Sequence, residues 1–141
     1  MKILVINGPN LNFLGIREPG VYGEDSLEKI NKELSLFAEK QGAKCVFFQS
    51  NVEGEIINEL QRAHNEKYDG VILNAGGYTH TSVAIRDAVK SVSVPVVEVH
   101  LSNIYAREEF RQISLIAPVC KGQISGFGKE GYFLALLSFL N

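Results

Sequence analysis

The sequence predicts an α/β protein in which five parallel strands form one sheet covered by helices on both faces. Three observations carry this. Short aliphatic strings recur along the chain, as in Ile3-Leu4-Val5-Ile6, Gly70-Val71-Ile72-Leu73 and Val96-Val97-Glu98-Val99. They lack the polar alternation of strands that keep one face in water, and strands buried on both sides belong to parallel sheets. Stretches with apolar residues at helical spacing separate them, so strand and helix take turns throughout. The 141 residues, 45% of them hydrophobic, suit one domain, expected to span residues 1–141.

Ile3-Leu4-Val5-Ile6 is the first strand. A connection over about residues 7–24 follows, with glycine at 8, 15, 20 and 23 and proline at 9 and 19. Strand-to-helix connections in compact α/β units need about 2–6 residues, so this one is expected to be an active-site lid. Asp25 or Ser26 caps a first helix with Leu27, Ile30, Leu34 and Phe37 on its apolar face and Gly42 as its stop. Cys45-Val46-Phe47-Phe48 is the second strand. Ser50 or Asn51 starts a second helix carrying Ile56, Leu60 and Ala63.

The third strand, Gly70 to Leu73, ends in Asn74-Ala75-Gly76-Gly77-Tyr78-Thr79-His80. Thr81 or Ser82 caps a third helix. Pro95 leads into the fourth strand, which runs out at His100-Leu101-Ser102-Asn103. A polar helical segment through Arg107-Glu108-Glu109-Phe110-Arg111 is expected next, then a short fifth strand at Gln123-Ile124-Ser125. The last helix, Tyr132 to Leu140, is apolar nearly all round and is either deeply buried or part of a subunit contact. Five such strands take the flavodoxin-like order 2-1-3-4-5 by default.

That order dictates where chemistry would occur. Ligands of open α/β sheets bind beyond the carboxyl ends of the strands, at the switch point. The loops after strands one, three and four meet there, and they hold Asn10, Arg17 and Tyr22; Asn74 and His80; and His100, Ser102 and Asn103. Each has a plainer reading. His80 and His100 can serve as structural hydrogen-bond groups at strand ends, and Arg107 and Arg111, four apart, can pair with neighbouring acids or bind an anion. His64 reads as a solvated surface histidine. Arg17 gives Tyr22 added interest, because a nearby cation lowers a phenol pKa that is ordinarily about 10.

Composition removes several classes. Lys and Arg number 14 against 16 Asp and Glu, a net charge of −2, which argues against nucleic acid as a partner. No apolar run is long enough for a membrane span, and the apolar start stops at Asn7, too short for a signal peptide, so a cytoplasmic protein is expected. Cys45 and Cys120 read as buried free thiols. A phosphate-binding Gly-rich loop with Lys, a Gly-x-Ser-x-Gly elbow and a His-Glu-x-x-His motif are all missing. The histidines are too dispersed for zinc. Asn7 and Asn74 occupy positions where a phospho-receiver would carry aspartates, and no lysine ends a strand in an apolar setting, as a Schiff-base nucleophile would require. Cofactor-free proton transfer on a small polar anion remains, by tyrosine and histidine.

Four motifs in order, Asn7-Gly8-Pro9-Asn10-Leu11-Asn12, Arg17-Glu18-Pro19 with Tyr22-Gly23, Asn74-Ala75-Gly76-Gly77 with Thr79-His80-Thr81-Ser82, and Glu98-Val99-His100-Leu101-Ser102-Asn103 with Arg107-Glu108 and Phe110-Arg111, resemble type II 3-dehydroquinate dehydratases over essentially the whole chain. The resemblance implies a hydro-lyase of the shikimate pathway that converts 3-dehydroquinate to 3-dehydroshikimate through an enolate. It implies no cofactor, no metal and no Schiff base, and a homo-oligomer, a dodecamer of four trimers.

By the same resemblance Tyr22 is the base and Arg17 lowers its pKa, while Asn10 holds a water or the enolate oxygen. His100 is the acid, oriented by Glu98. Asn74, His80 and Arg111 bind substrate hydroxyls, the backbone N–H groups of Leu101 and Ser102 take the carboxylate in a helix-start geometry, and Asp87 reaches a neighbouring subunit's site. A non-enzymatic α/β module that binds a small anionic metabolite, and a cofactor-free isomerase, are the competing readings.

Overall fold

The computed structural model describes residues 1–16 and 25–140. Five strands, β1 (Lys2–Asn7), β2 (Lys44–Gln49), β3 (Gly70–Asn74), β4 (Val96–His100) and β5 (Gly122–Ser125), pair in parallel in the order β2-β1-β3-β4-β5. Helices α1 (Leu27–Lys40), α2 (Glu53–Asn65), α3 (Val83–Ser91) and α4 (Glu130–Phe139) cover the two faces. The sheet order agrees with the expected one.

Pleating sends alternate residues of each strand to opposite faces. Ile3 and Val5 of β1 face one core with Leu27, Ile30 and Leu34 of α1 and Tyr132, Ala135 and Leu136 of α4. Leu4 and Ile6 face the other with Ile56 and Leu60 of α2 and Ile85 and Val89 of α3. Each aliphatic side chain buried in this way stabilises by roughly 1.5–3 kcal/mol before entropy is charged against it. The last helix is therefore held by the first core, with Leu134 as the exposed apolar exception.

Local chemistry sets the helix starts. Ser26 caps α1 by accepting from Lys29 N–H, and Ser82 caps α3 by accepting from Ile85 N–H at 2.9 Å. The second helix begins later than Ser50 or Asn51: its N-cap is Val52, and Ser50 Oγ accepts from Val52 N–H while its hydroxyl turns to Glu55. The last helix starts at Glu130, two residues before the expected Tyr132.

The expected polar helix through Arg107 and Arg111 is absent. Residues 104–106 and 109–111 form two separate 3-10 turns, because Arg107 is extended at φ −105° and ψ −162°. These arginines share no helix face.

The long connection after β1 also differs from its expected form in the part described. Asn7 belongs to the strand, Leu11–Phe13 makes a 3-10 turn, and Leu11 and Leu14 are buried in the core beside α1. The remainder of the expected lid, with Arg17 and Tyr22, lies outside the described residues. Gly8 is needed at the crossing of this connection with the one after β3, since a Cβ there would lie 2.6 Å from the Ala75 carbonyl oxygen.

Candidate active site

Register places the carboxyl ends of the three central strands level with one another. Asn7 stands opposite Asn74, Leu73 opposite Glu98, and His100 opposite Ser125. Beyond these ends lies an open cleft of about 180 Å³, lined on one side by Asn10, Leu11 and Leu14 and on the others by Asn74, His80, His100, Ser102 and Arg111, among other residues. Asn10, Asn74, His80, His100, Leu101, Ser102 and Arg111 all reach it. Asp87 does not: it is exposed on α3, away from the cleft walls.

Glu98 is fully buried on β4, and its carboxylate takes three donors. His100 Nε2 lies 2.7 Å and Gln123 Nε2 2.6 Å from Oε2, and Ser114 Oγ donates to Oε1 at 2.8 Å. Burial alone would push its pKa up, but the hydrogen bonds and charge attraction from His100, then Gln123 and Ser114, outweigh it and hold the carboxyl below its ordinary range. An ionised Glu98 accepts, so His100 Nε2 carries hydrogen and Nδ1 is left for the cleft.

His80 stands with its ring 6.4 Å from that of His100, the planes 21° apart. Its Nδ1–H donates to the Ile113 carbonyl at 2.8 Å, which leaves Nε2 as an acceptor. Its pKa lies below the usual imidazole value, first because burial disfavours the cation, and further because His100 and Arg111 repel it; the Ile113 bond works in the opposite direction. His80 is thus suited to accept a hydrogen bond as a neutral ring.

Asn10 has left-handed backbone, φ 70°, ψ −3°. Its N–H donates to Asn51 Oδ1 at 3.0 Å, and Gln49 Nε2 ties the same oxygen to the Gly8 carbonyl. Arg111 Nε lies 3.2 Å from both Glu108 carboxylate oxygens, and Arg107 Nη1 donates to Ser102 Oγ at 3.3 Å. Two guanidiniums therefore border a cleft lined by His100, whose ring is held from behind by the buried Glu98 carboxylate. Leu101 and Ser102 lie in a bend, not at a helix start: the nearest helical turn, Ile104–Ala106, has three residues. Any anion held by their N–H groups is held by bend geometry and by the neighbouring Arg107.

The pattern described as dehydroquinase class II matches residues 1–140. The chain belongs to the class II dehydroquinase family. It is 58% identical over 139 residues to the 3-dehydroquinate dehydratase of Fusobacterium nucleatum subsp. nucleatum, covering 97% of this chain and 95% of that one. The crystal structure of type II dehydroquinase from Butyrivibrio crossotus superposes with a TM-score of 0.98 at 48% identity, covering 100% of this chain and 98% of that one. That from Propionibacterium acnes gives 0.95 at 36%, covering 99% and 95%.

In this member of the dehydroquinase family, sequence reasoning left one residue of the site undecided and passed over others. Arg107 lines the cleft, though the sequence left it open between ion pairing and anion binding. Gln123 was visible only as a strand residue, yet the order of β4 and β5 sets it opposite Glu98. Ser114 and Tyr132 carried no signal, one lying in an irregular return and the other hidden in an apolar helix. His64 is exposed, as expected, and its Nδ1 accepts from Ser93 N–H at 3.1 Å. Cys45 is buried and Cys120 partly so, both as free thiols whose pKa is raised by burial, to about 11 and about 12.

Proposed function

We propose that the chain dehydrates 3-dehydroquinate to 3-dehydroshikimate in the shikimate pathway, by acid/base elimination through an enolate. The observation that carries this reading is the coincidence of family membership over residues 1–140 with a cleft bordered by arginines and lined by His100, which is bonded to the buried Glu98.

In this reading Tyr22 removes the proton from the carbon beside the substrate ketone, and Arg17 lowers its pKa and stabilises the growing negative charge. The electron pair moves onto the ketone oxygen, where Asn10 holds a water or the enolate oxygen itself. Collapse of the enolate expels the hydroxyl at the next carbon, and His100 supplies the proton that lets it leave as water. Glu98 orients His100 and balances the charge of its imidazolium, a role supported by the 2.7 Å bond.

Asn74, His80 and Arg111 take the substrate hydroxyls, and the carboxylate rests on the N–H groups of Leu101 and Ser102 with Arg107 near. A neutral His80 whose Nδ1–H is already given to Ile113 offers Nε2 to a hydroxyl proton. No cofactor enters these steps.

Asp87 is assigned to the site of a neighbouring subunit in a trimer, four trimers making a homododecamer, and the enzyme to the cytoplasm. The exposed position of Asp87 on α3 and the exposed Tyr105, Phe110 and Phe127 support an assembly. No helix of the described residues is long and apolar enough to cross a membrane. Nucleic acid is not a partner in this reading, in keeping with the net charge of −2.

The deciding experiment incubates the protein with 3-dehydroquinate and follows the ultraviolet absorbance of the conjugated enone product. Steady growth of that absorbance is expected; its absence with saturating binding would leave a metabolite-binding module. Light scattering tests the assembly: an active monomer at micromolar concentration would remove both the trimer and the role of Asp87.

A further inference from the structure

The helix α4 sends one buried phenol to Asn74, a residue that lines the cleft. Tyr132 is 1% exposed, and its hydroxyl lies 2.5 Å from Asn7 Oδ1 and 3.1 Å from Asn74 Nδ2. Asn7 and Asn74 are the register-paired last residues of β1 and β3, themselves 0% and 3% exposed. One phenol from a largely apolar helix thus cross-links the ends of two adjacent strands.

The direction of every hydrogen bond in this chain is determined. The Gly76 backbone N–H can only donate, and it lies 3.2 Å from Asn74 Oδ1. The Asn74 amide must therefore turn its oxygen to Gly76 and its Nδ2 to Tyr132. The Tyr132 oxygen then accepts from Asn74, so its single proton goes to Asn7 Oδ1. Reversing Asn74 would set two donors against each other at Gly76. The cost falls on Asn7 Nδ2, a buried donor with no partner among the described residues.

We infer that Tyr132 is a positioning residue for substrate binding, one that fixes the amide of Asn74 so that one N–H and one oxygen lone pair remain for a substrate hydroxyl. This rests on the proposed function, in which Asn74 binds such a hydroxyl. It adds a determinant that touches no substrate and acts through Asn74 alone.

The test is a double-mutant cycle on turnover of 3-dehydroquinate, with Tyr132→Phe, Asn74→Ala and the pair. Phenylalanine keeps the ring and its packing and removes only the hydroxyl. Tyr132→Phe is expected to lower kcat/KM by about fivefold to tenfold, the worth of one hydrogen bond, mainly through a higher KM. In the Asn74→Ala background the same change should have almost no further effect, since the group it orients is gone. A structural role alone would lower activity equally in both backgrounds, and that result overturns the inference, as does a Tyr132→Phe enzyme within twofold of the parent. If Tyr132→Phe does not fold, Asn7→Leu is measured in the same cycle: it removes the acceptor of the phenol proton, which then turns on Asn74, and the same rise in KM is expected. A parent chain that turns over no 3-dehydroquinate overturns the proposed function, and this inference with it.

Discussion

His100 and Glu98 stand two residues apart on β4, on the same face of the strand, and are joined by a 2.7 Å bond from Nε2 to Oε2. The carboxylate end of that bond has no exposure to water and two further donors on it, so its charge and position are held from three directions. Replacing Glu98 by glutamine keeps the shape and removes the charge. The imidazolium of His100 then loses its counter-ion, and an amide nitrogen is brought against the donors from His100, Gln123 or Ser114. Expected is a fall in kcat of about 10²–10⁴, the range for an impaired general acid, with a smaller change in KM. Steady-state kinetics at pH 7 checks it, and an unchanged kcat would remove the pair from the chemistry.

The same carboxylate makes stability depend on pH. Its folded pKa lies below the ordinary value of about 4.3. The unfolded chain therefore takes up this proton first as the pH falls. The stabilisation is complete above about pH 4.3 and is lost as the pH drops through the folded value. His80, also lowered, acts in the same direction from its ordinary value of about 6.5 downward. Urea unfolding between neutral pH and acid should show both losses, and the lower one should vanish in Glu98→Gln. A curve of the same shape in parent and variant would count against the assignment.

Tyr22 and Arg17 are predicted from the sequence and the family, outside the described residues. An unperturbed phenol, with a pKa of about 10, is almost wholly protonated at pH 7 and is a poor base. Tyr22→Phe should lower kcat by about 10²–10⁴ with binding little changed. Arg17→Ala should lower kcat too, and should move the acid limb of the pH–rate profile upward, because the phenolate loses its cation. Near-normal turnover in Tyr22→Phe would mean that another group is the base.

Gly8 should not tolerate a side chain. A Cβ would meet the Ala75 carbonyl oxygen at 2.6 Å and its carbon at 2.8 Å, both backbone atoms. The connections after β1 and β3 must then separate, carrying Asn10 and Asn74 with them. Gly8→Ala should destabilise by about 1–3 kcal/mol and lower kcat/KM as well. Gly54, in α2, has nothing within 4 Å of its Cβ position, and Gly54→Ala should instead stabilise by up to about 1 kcal/mol. Urea midpoints compare the two.

Borohydride added with substrate should leave activity intact. Among the described residues no lysine lines the cleft, so no imine is expected for the reagent to trap. A strong chelator should be equally without effect if the electrons move as proposed. Inactivation by either reagent would mean that the electron sink is not the enolate of the Tyr22 and Arg17 mechanism.

What the sequence by itself determined is what hydrophobic periodicity and strand-end chemistry can express: wholly apolar strands, helices between them, the order 2-1-3-4-5 and the loops bearing Asn10, Asn74, His80 and His100. These signals are local, read within one strand or one turn of helix. The tertiary structure alone decided which distant groups hold those residues. Ser114 and Gln123 reach Glu98 from 16 and 25 residues away, and Tyr132 reaches Asn7 from 125. It also broke the expected helix at Arg107, where an extended backbone separates two 3-10 turns and still leaves Arg107 and Arg111 both lining the cleft. A buried polar group takes whatever partner register and packing bring within about 3 Å, and composition along the chain carries no record of that choice.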